Sequence, residues 1–252
     1  MSDRPVLTLS VVIPVKDDAA LLDRCLAALA LQTYPAVEVV VVDNGSTDHS
    51  ADVARRHGAR VVPEPRPGIP AAASTGYDEA RGDVIVRCDA DTQAPSDWLA
   101  RVARAFDADP RLDALTGTGD FYDVGRWRAV VVGRAYLVAY YLLMHAAMGH
   151  RPLWGSNMAL RRTRWEAVRE HVHRHDPEVH DDADLAFALG PTSRIRYDRG
   201  LRVRVSGRSL HGRHQLRRRF ARAWHTLAVS WRLSPPWQRW ADALGARTPR
   251  GT

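Results

Sequence analysis

Four short, β-branched runs alternate with three stretches of helical periodicity between Leu9 and Asp91, and that alternation leaves few folds open. The runs are Leu9 to Ile13, Val37 to Val42, Ala59 to Val62 and Val84 to Cys88. Each is too short for a helix. Between them, Leu21, Leu22, Cys25, Leu26 and Leu29 recur at helical spacing within Ala19 to Leu31, and helices are predicted again from about His49 to His57 and from Gly68 to Arg81. A β-α-β-α-β-α-β order gives a largely parallel, doubly wound sheet. Ligands of such sheets collect beyond the carboxyl ends of the strands. Pro14 to Asp17, Asp43 to Asp48 and Asp89 to Asp91 all follow strands, so all three are predicted at one edge.

The last of these segments carries the most chemistry. Asp89 and Asp91 are separated by one residue at the end of a buried run, and two such acids repel unless a cation sits between them and a polyanion. Hard oxygen donors suit Mg²⁺ or Mn²⁺ that keeps part of its shell for substrate phosphates. A solvated Asp-rich turn is the plainer alternative. Neither the G-x-G-x-x-G dinucleotide fingerprint nor a phosphate loop ending in Gly-Lys-Ser/Thr is present, and Lys16 is the only lysine in the chain. The lysine downstream of D-x-D that a haloacid-dehalogenase-like phosphatase needs is missing too.

Beyond Thr92 the strict alternation is lost. A helix is predicted from Ser96 to Asp107 and a strand from Leu112 to Thr118. Trp127 to Met148 is a long apolar stretch suited to covering the sheet or meeting lipid. Trp154 to Leu160 reads as a turn into a short strand, followed by a helix from Thr163 to about His173. Ser193 to Tyr197 and Leu201 to Val205 read as a β-hairpin. No H-x-x-x-H pair on a helix face makes His171, His173, His175 and His180 converge as a zinc site, and they read as a polar surface loop. Asp181, Asp182 and Asp184 open an apolar helix, where the dipole favours carboxylates. Capping explains one or two of them, and the third invites a catalytic reading.

Charge is distributed unevenly. From Arg199 onward there are 13 Arg against one acid, Asp242, so the rest of the chain is net negative although the whole is +7. Leu216, Phe220, Trp224, Leu227 and Trp231 recur at spacings of three and four within His211 to Leu233, with Arg213, Arg217, Arg218 and Arg222 on other faces. That is a basic amphipathic helix suited to an anionic membrane surface. No nucleic acid is expected, because the aromatics share a helix face and form no stacking platform. Ala129 to Gly149 is interrupted by Arg134 and is not expected to span a bilayer. Cys25 and Cys88 sit in apolar patterns as buried thiols, and with no cleavable leader evident a cytoplasmic location is expected, with peripheral attachment at the inner membrane face.

Taken in order, the motifs resemble the family 2 glycosyltransferases of GT-A fold over roughly Leu9 to Phe220. S-V-V-I-P-V at Ser10 to Val15, V-V-V-V-D-N-G-S-T-D at Val39 to Asp48 and D-V-I-V-R-C-D-A-D-T at Asp83 to Thr92 are similar to that family's first strand, second strand and D-x-D strand. G-S-N-M-A-L-R-R at Gly155 to Arg162 resembles its acceptor-side strand, and D-D-A-D-L at Asp181 to Leu185 its E-D-x-D-L element. The resemblance implies an α/β fold, a Rossmann-like doubly wound mixed sheet with helices on both faces and a basic helical extension. It implies a domain of residues 1–210, with a donor half at 1–112 and an acceptor half at 113–210, then a tail at 211–252. It implies that Pro14, Val15, Asp17 and Asp43 hold the base of a UDP- or GDP-sugar and that Asp89 lies at the ribose. Asp91, with His211, would hold Mn²⁺ or Mg²⁺, and Gly155, Asn157, Asp181 and Asp184 would line the acceptor side. Asp182 would be the catalytic base, with inversion at the anomeric carbon.

This chain departs from the family at Ala73 and Ser74, where an Arg or Lys beside an Asn is usual, and at Asp181, which replaces Glu. H-Q-L-R-R-R-F at His214 to Phe220 only partly resembles the Q-x-x-R-W element of processive synthases, so transfer of a single sugar is expected. The acceptor is read as unknown, with a lipid-linked one suggested by the basic, Trp-containing tail. The competing reading is a membrane-surface or polyanion-binding module whose GT-A domain is not catalytic.

Overall fold

The computed structural model describes residues 6–123, 134–210 and 213–245. Strands β1 (Leu9–Val15), β2 (Glu38–Asp43), β3 (Arg60–Pro63) and β4 (Val84–Arg87) are mutually parallel, with α1 (Ala19–Ala30), α2 (Ser50–Arg56) and α3 (Ile69–Glu79) as their crossovers. After α4 (Trp98–Ala108) come β5 (Ala114–Phe121), α5 (Arg134–Met148), β6 (Met158–Arg161), α6 (Arg162–Val168), α7 (Asp181–Leu189), β7 (Ile195–Val205), α8 (Arg213–Leu233) and α9 (Pro236–Gly245). The seven strands form one sheet in the order β3-β2-β1-β4-β6-β5-β7. Only β6 runs antiparallel to its neighbours, β4 and β5, among the described strands. The sheet is therefore mixed, as the family resemblance implied.

Period-two alternation places successive residues of β1 on opposite faces. Val11 and Ile13 pack with Leu22, Val53, Trp98, Val102 and Phe106 from α1, α2 and α4. Val12 packs on the other face with Ala72 and Tyr77 of α3, Met148 of α5, Trp165 of α6 and Leu185 of α7. Helices thus cover both faces. Strand order reverses between β1 and β4, since β1 crosses to β2 on one side while β3 returns to β4 on the other, and that is where a crevice opens. Asp48 braces its rim: one carboxylate oxygen accepts the Ala19 amide and the other the Ser50 amide, both at 2.9 Å, tying the starts of α1 and α2 together.

One expectation fails outright. Residues 193–205 form no hairpin; 195–205 is a single strand, β7, parallel to β5 along its length. Alternation announces a strand but not its partner, and both halves pair with the same neighbour. The register breaks once, where Thr116 faces Tyr197 but Thr118 faces Arg202. The Asp198 carboxylate accepts the Gly200 amide at 2.7 Å and folds the extra residues into a bulge. Gly117 is needed opposite it, because a Cβ there would lie 2.1 Å from the Leu201 carbonyl oxygen.

The stretch expected to cover the sheet does so by one face only. Residues 124–133 lie outside the described residues, and within α5 Leu137, Met144 and Met148 are buried while Val138, Leu142 and Leu143 face outward. The basic tail is docked on the body: the Arg222 guanidinium donates to the carbonyls of Pro177, Glu178 and Val179, the Trp231 indole to Ala147, and Arg239 to Met148. No described helix is long and apolar enough to cross a membrane. Both cysteines are free and buried.

Candidate active site

The carboxyl ends of β1 and β4, the loop before β6, the start of α7 and the segment after β7 surround one cavity of about 980 Å³. Its floor is acidic. Asp89 is held from two sides, with Oδ1 3.0 Å from Arg87 Nη2 and Oδ2 accepting the Ser156 hydroxyl at 2.5 Å. The Cys25 thiol contacts the Asp89 carbonyl oxygen at 3.7 Å. Asp91 is differently placed. Its side chain is 13% exposed, and its nearest cation is Arg208, with Nε 3.6 Å from Oδ2. Arg208 is committed elsewhere, forking onto both carboxylate oxygens of Asp18. Burial, then the charge of Asp89, push the Asp91 carboxyl up to about 7, with Asp18 and Asp123 adding to the rise and Arg208 opposing it. An acid so surrounded calls for further positive charge.

Across the cavity, α7 begins with Asp181 and Asp182. Asp182 is fixed by two amides at 2.8 Å, Gly155 donating to Oδ2 and Ala183 to Oδ1. A carboxylate has lone pairs left after two such bonds, so it is oriented and still able to accept a proton. Asp181 lies beneath it, its Oδ2 3.0 Å from Arg87 Nη1. That contact is an ion pair without hydrogen-bond geometry, and Arg87 Nε and Asp181 Oδ2 have no hydrogen-bond partner. Burial raises the Asp181 carboxyl to about 6 despite the guanidinium.

Arg87 is a site residue that none of the motifs announces. It is 3% exposed and spans the two acidic groups, pairing Asp89 of the D-x-D turn with Asp181 of α7. Burial disfavours its charge, but Asp181 and Asp89 outweigh that and hold it protonated. A signal for it existed: a charge inside a buried apolar strand must be paired. Gly155 makes room for it, since a Cβ there would lie 1.6 Å from Arg87 Nη1. Lys16, inside the Pro14 to Asp17 segment, and Ser156, inside the Gly155 to Arg162 motif, also line the cavity, as do Asp18 and Arg208, which no motif points to.

The remaining sequence-derived residues separate. Pro14 and Val15 line the cavity, as do Asp89, Asp91, Gly155, Asp181 and Asp182. Asp17 and Asp43 are not among the residues that line it. Asp17, at φ 51°, accepts the Thr47 amide and hydroxyl, and Asp43 accepts the Ser46 amide at 2.9 Å. Those Thr47 bonds hold the Asp17 carboxyl below its usual range. Asn157 does not face an acceptor: it is fully buried, its Oδ1 accepting the Trp98 indole and its Nδ2 donating to the carbonyls of Thr118 and Leu201. Asp184 is likewise buried and receives the amide and ring nitrogen of His173 at 2.6 and 2.7 Å. Both are polar because the interior needs their bonds, joining β5 to β7 and pinning the loop before α7. Ala73 and Ser74 are buried in α3 and offer no cation to the cavity. His211 lies outside the described residues.

The donor set fits a hard divalent cation in a restricted sense. Among the described residues no group of three or more His, Cys, Asp or Glu is arranged to hold a metal ion. Asp91, with its raised affinity for a proton and a neighbourhood rich in carboxylates, fits a cation that takes its other ligands from phosphates and water, the habit of Mg²⁺ and Mn²⁺.

Comparison with known proteins agrees with this fold. The model of the family described as Glycosyl transferase family 2 matches residues 10–165. Glycosyltransferase AglE of Haloferax volcanii is 35% identical over 100 residues, 36% of this chain and 33% of that protein. An undecaprenyl-phosphate 4-deoxy-4-formamido-L-arabinose transferase of Pseudomonas aeruginosa is 37% identical over 112 residues, 40% of this chain and 33% of that one. The match thus spans about a third of the length of these curated relatives. Among solved structures, the mannosyltransferase PcManGT of Pyrobaculum calidifontis in complex with GDP-Man and Mn²⁺ superposes with a TM-score of 0.65 at 25% identity, covering 98% of this chain and 76% of that one. Glucosyl-3-phosphoglycerate synthase of Mycobacterium tuberculosis superposes with a TM-score of 0.62 at 20% identity over 89% of this chain and 80% of that one, a likeness of fold.

Proposed function

This chain belongs to glycosyl transferase family 2, and from that premise we propose that it moves a single sugar from a UDP- or GDP-sugar to an acceptor hydroxyl, with inversion. One observation carries the reading: a single cavity at the switch point has the buried, cation-seeking Asp91 on one wall and the oriented carboxylate of Asp182 on another. Together the two match the demands of the reaction, which must neutralise a departing diphosphate and deprotonate an incoming hydroxyl. The competing picture, a binding module with a silent domain, gives no reason for a carboxylate held by the Gly155 amide at the cavity wall.

In this reading Pro14 and Val15 form the surface for the base, with Asp17 and Asp43 supporting it. Asp89, fixed by Arg87 and Ser156, meets the ribose. Mn²⁺ or Mg²⁺ at Asp91, with His211 as a second candidate ligand, would supply positive charge against the leaving diphosphate, as the neighbour's complex with GDP-Man and Mn²⁺ suggests. Lys16 and Arg208 add fixed positive charge at the same wall. Asp182 takes the acceptor proton while the acceptor oxygen bonds to the anomeric carbon and the bond to the diphosphate breaks, its electron pair leaving with the nucleotide. Attack from the opposite face turns an α-linked donor into a β-linked product. Asp181, paired with Arg87, positions the start of α7.

Residues 1–112 serve as the donor half, 113–210 as the acceptor half and 211–252 as the basic extension. The acceptor is lipid-linked, in keeping with the undecaprenyl-phosphate of the relative's name, and the protein works at the inner face of a membrane.

The test is thermal stabilisation by UDP, GDP and their sugar conjugates, in Mn²⁺ and in EDTA. Ligands that bind only the folded state raise its apparent stability. A metal-dependent shift with one nucleotide, lost in Asp91→Ala, supports the donor site. No shift with any of them sinks it. Once turnover is found, retention of anomeric configuration by NMR would overturn the single-displacement mechanism.

A further inference from the structure

The cavity does not end at its acidic floor. It continues between α5 and α8 along Leu143, Met144, Phe220, Trp224, Leu227 and Trp231. These side chains divide into two groups. Met144 is buried, and Leu227 and Trp231 pack against the core, whereas Leu143, Phe220 and Trp224 are 66%, 65% and 66% exposed. Phe220, Trp224, Leu227 and Trp231 follow one another at spacings of four, three and four, so one apolar stripe of α8 starts in solvent and runs into the cavity. The Trp224 and Trp231 rings meet edge to face at 6.1 Å, which makes the stripe continuous across that boundary. Val138 and Leu142 are further exposed apolar side chains of α5.

A nucleobase or a sugar ring stacks on one aromatic face, but neither is long enough to cover the stripe from Phe220 to Trp231, a rise of eleven residues or about 16 Å of helix. The charge around it narrows the choice of occupant. Arg217 and Arg218 are exposed on the turn that carries Phe220, Arg232 is exposed near the other end, and no acid occurs between Arg199 and Leu233. Arg218 lies 3.7 Å from Glu178, and an amphipathic helix whose apolar face is flanked by an excess of arginine matches an anionic bilayer surface. Phe220 and Trp224 are its solvent-exposed members, and Asp182 lines the same cavity.

We propose that the α5–α8 trough is the subsite for the hydrocarbon chain of a membrane-borne acceptor, entered from an anionic bilayer on which α5 and α8 rest. The proposal rests on the transferase reading above and names the part of the acceptor that the fold recognises. The chain lies against Leu143, Phe220 and Trp224, and the head group to be glycosylated extends past Trp231 towards Asp182. The acceptor need not leave the membrane to reach the base.

Quenching of tryptophan fluorescence by phosphatidylglycerol vesicles with brominated acyl chains tests this on the full chain, wild type beside Leu143→Glu and Phe220→Glu. Both substituted residues are exposed, so folding is retained, and neither touches the donor wall. The expected result is quenching of the wild type and an apparent lipid affinity weaker by about tenfold or more in each variant, the loss that removing one apolar side chain from a hydrocarbon contact implies. Nucleotide stabilisation with Mn²⁺, read in the same samples, stays unchanged. Absence of quenching in a wild type that nucleotide still stabilises overturns the lipid subsite and leaves the transferase reading standing. Quenching equal in wild type and variants overturns it as well, because the contact then lies elsewhere. Absence of nucleotide stabilisation in all three proteins removes the premise, and the proposal with it.

Discussion

Replacing Asp91 with Asn should stabilise the protein in EDTA at alkaline pH while removing its response to nucleotide and metal. The Asp91 carboxyl is raised from an ordinary 3.8 to about 7, chiefly by burial and then by Asp89. A raised acid binds its proton more tightly in the folded chain than in the unfolded one, so stability falls as pH climbs from about 4 to about 7. At about 1.4 kcal/mol per pH unit in that window, the ionised group at pH 8 works against folding by an upper limit of about 4 kcal/mol. Asn has the same shape and never ionises. Even half of that figure would raise Tm by about 4–8 °C in a chain of this size. At pH 5 the gain should shrink by more than half, because the native carboxyl is then protonated. The substitution also removes an attraction to Arg208, but that guanidinium is half-exposed and still pairs with Asp18, so little is offset. Differential scanning calorimetry of both proteins at pH 5 and pH 8 in EDTA decides the matter. No gain at pH 8, or the same gain at both pH values, would refute the claim that Asp91 is a buried acid awaiting a cation.

Asp182→Asn should lower turnover by about 10² to 10⁴ with nucleotide stabilisation intact, as loss of a general base without loss of the donor site requires; product formation and thermal shift are read together. Arg87→Met should destabilise by about 3–5 kcal/mol in urea titrations, because it strands Asp181 and Asp89 beside each other without their shared cation. Gly155→Ala should displace the same guanidinium and lower activity more than stability, checked by assaying both on one preparation. His150 is buried and neutral, its Nδ1 donating to the Arg151 carbonyl and its Nε2 accepting from Arg239, and burial lowers it to about 4. The unfolded chain then binds a proton that the folded one refuses, so this group's contribution is full above about 6.5 and lost as pH falls towards 4. His150→Asn should flatten that part of the stability profile, and an unchanged profile would contradict the assignment.

Most of the architecture was legible, for a definite reason. The strands β1, β2 and β4 are buried on both faces, so they read as unbroken β-branched runs, and the turns that end them carry the polar residues a cavity needs. What the sequence could not convey is partnership. Residues 195–205 alternate as two strands should, yet the break at Asp198 is a bulge against β5, and nothing in a period-two pattern distinguishes a bulge from a hairpin turn. The site shows the same limit at the level of side chains. Asn157 and Asp184 fall within motifs as readily as Gly155 and Asp182, and only the fold shows that two of the four are consumed by internal bonds with Trp98 and His173. The amphipathic pattern of α8 was visible, but not that Leu227 and Trp231 are anchored while Phe220 and Trp224 are left outside.

Arg87 also alters how the proposed halves of the domain should be understood. A boundary near residue 112 separates β4 from α7 in the chain, and each half brings its own acids to the cavity. A single buried guanidinium joins them, with Asp89 on one side and Asp181 on the other. The acid proposed to face the ribose and the helix proposed to carry the base are therefore braced by one cation, and that cation has room because Gly155 has no side chain. The same glycine donates its amide to Asp182. Any shift of the D-x-D turn on donor binding would be felt at Arg87, and through it at α7 and the Gly155 loop, before it reached solvent. The proposed donor and acceptor sides built this way are mechanically one site, and the two carboxylates are what let a charge that burial alone would forbid stand in the middle of an apolar strand.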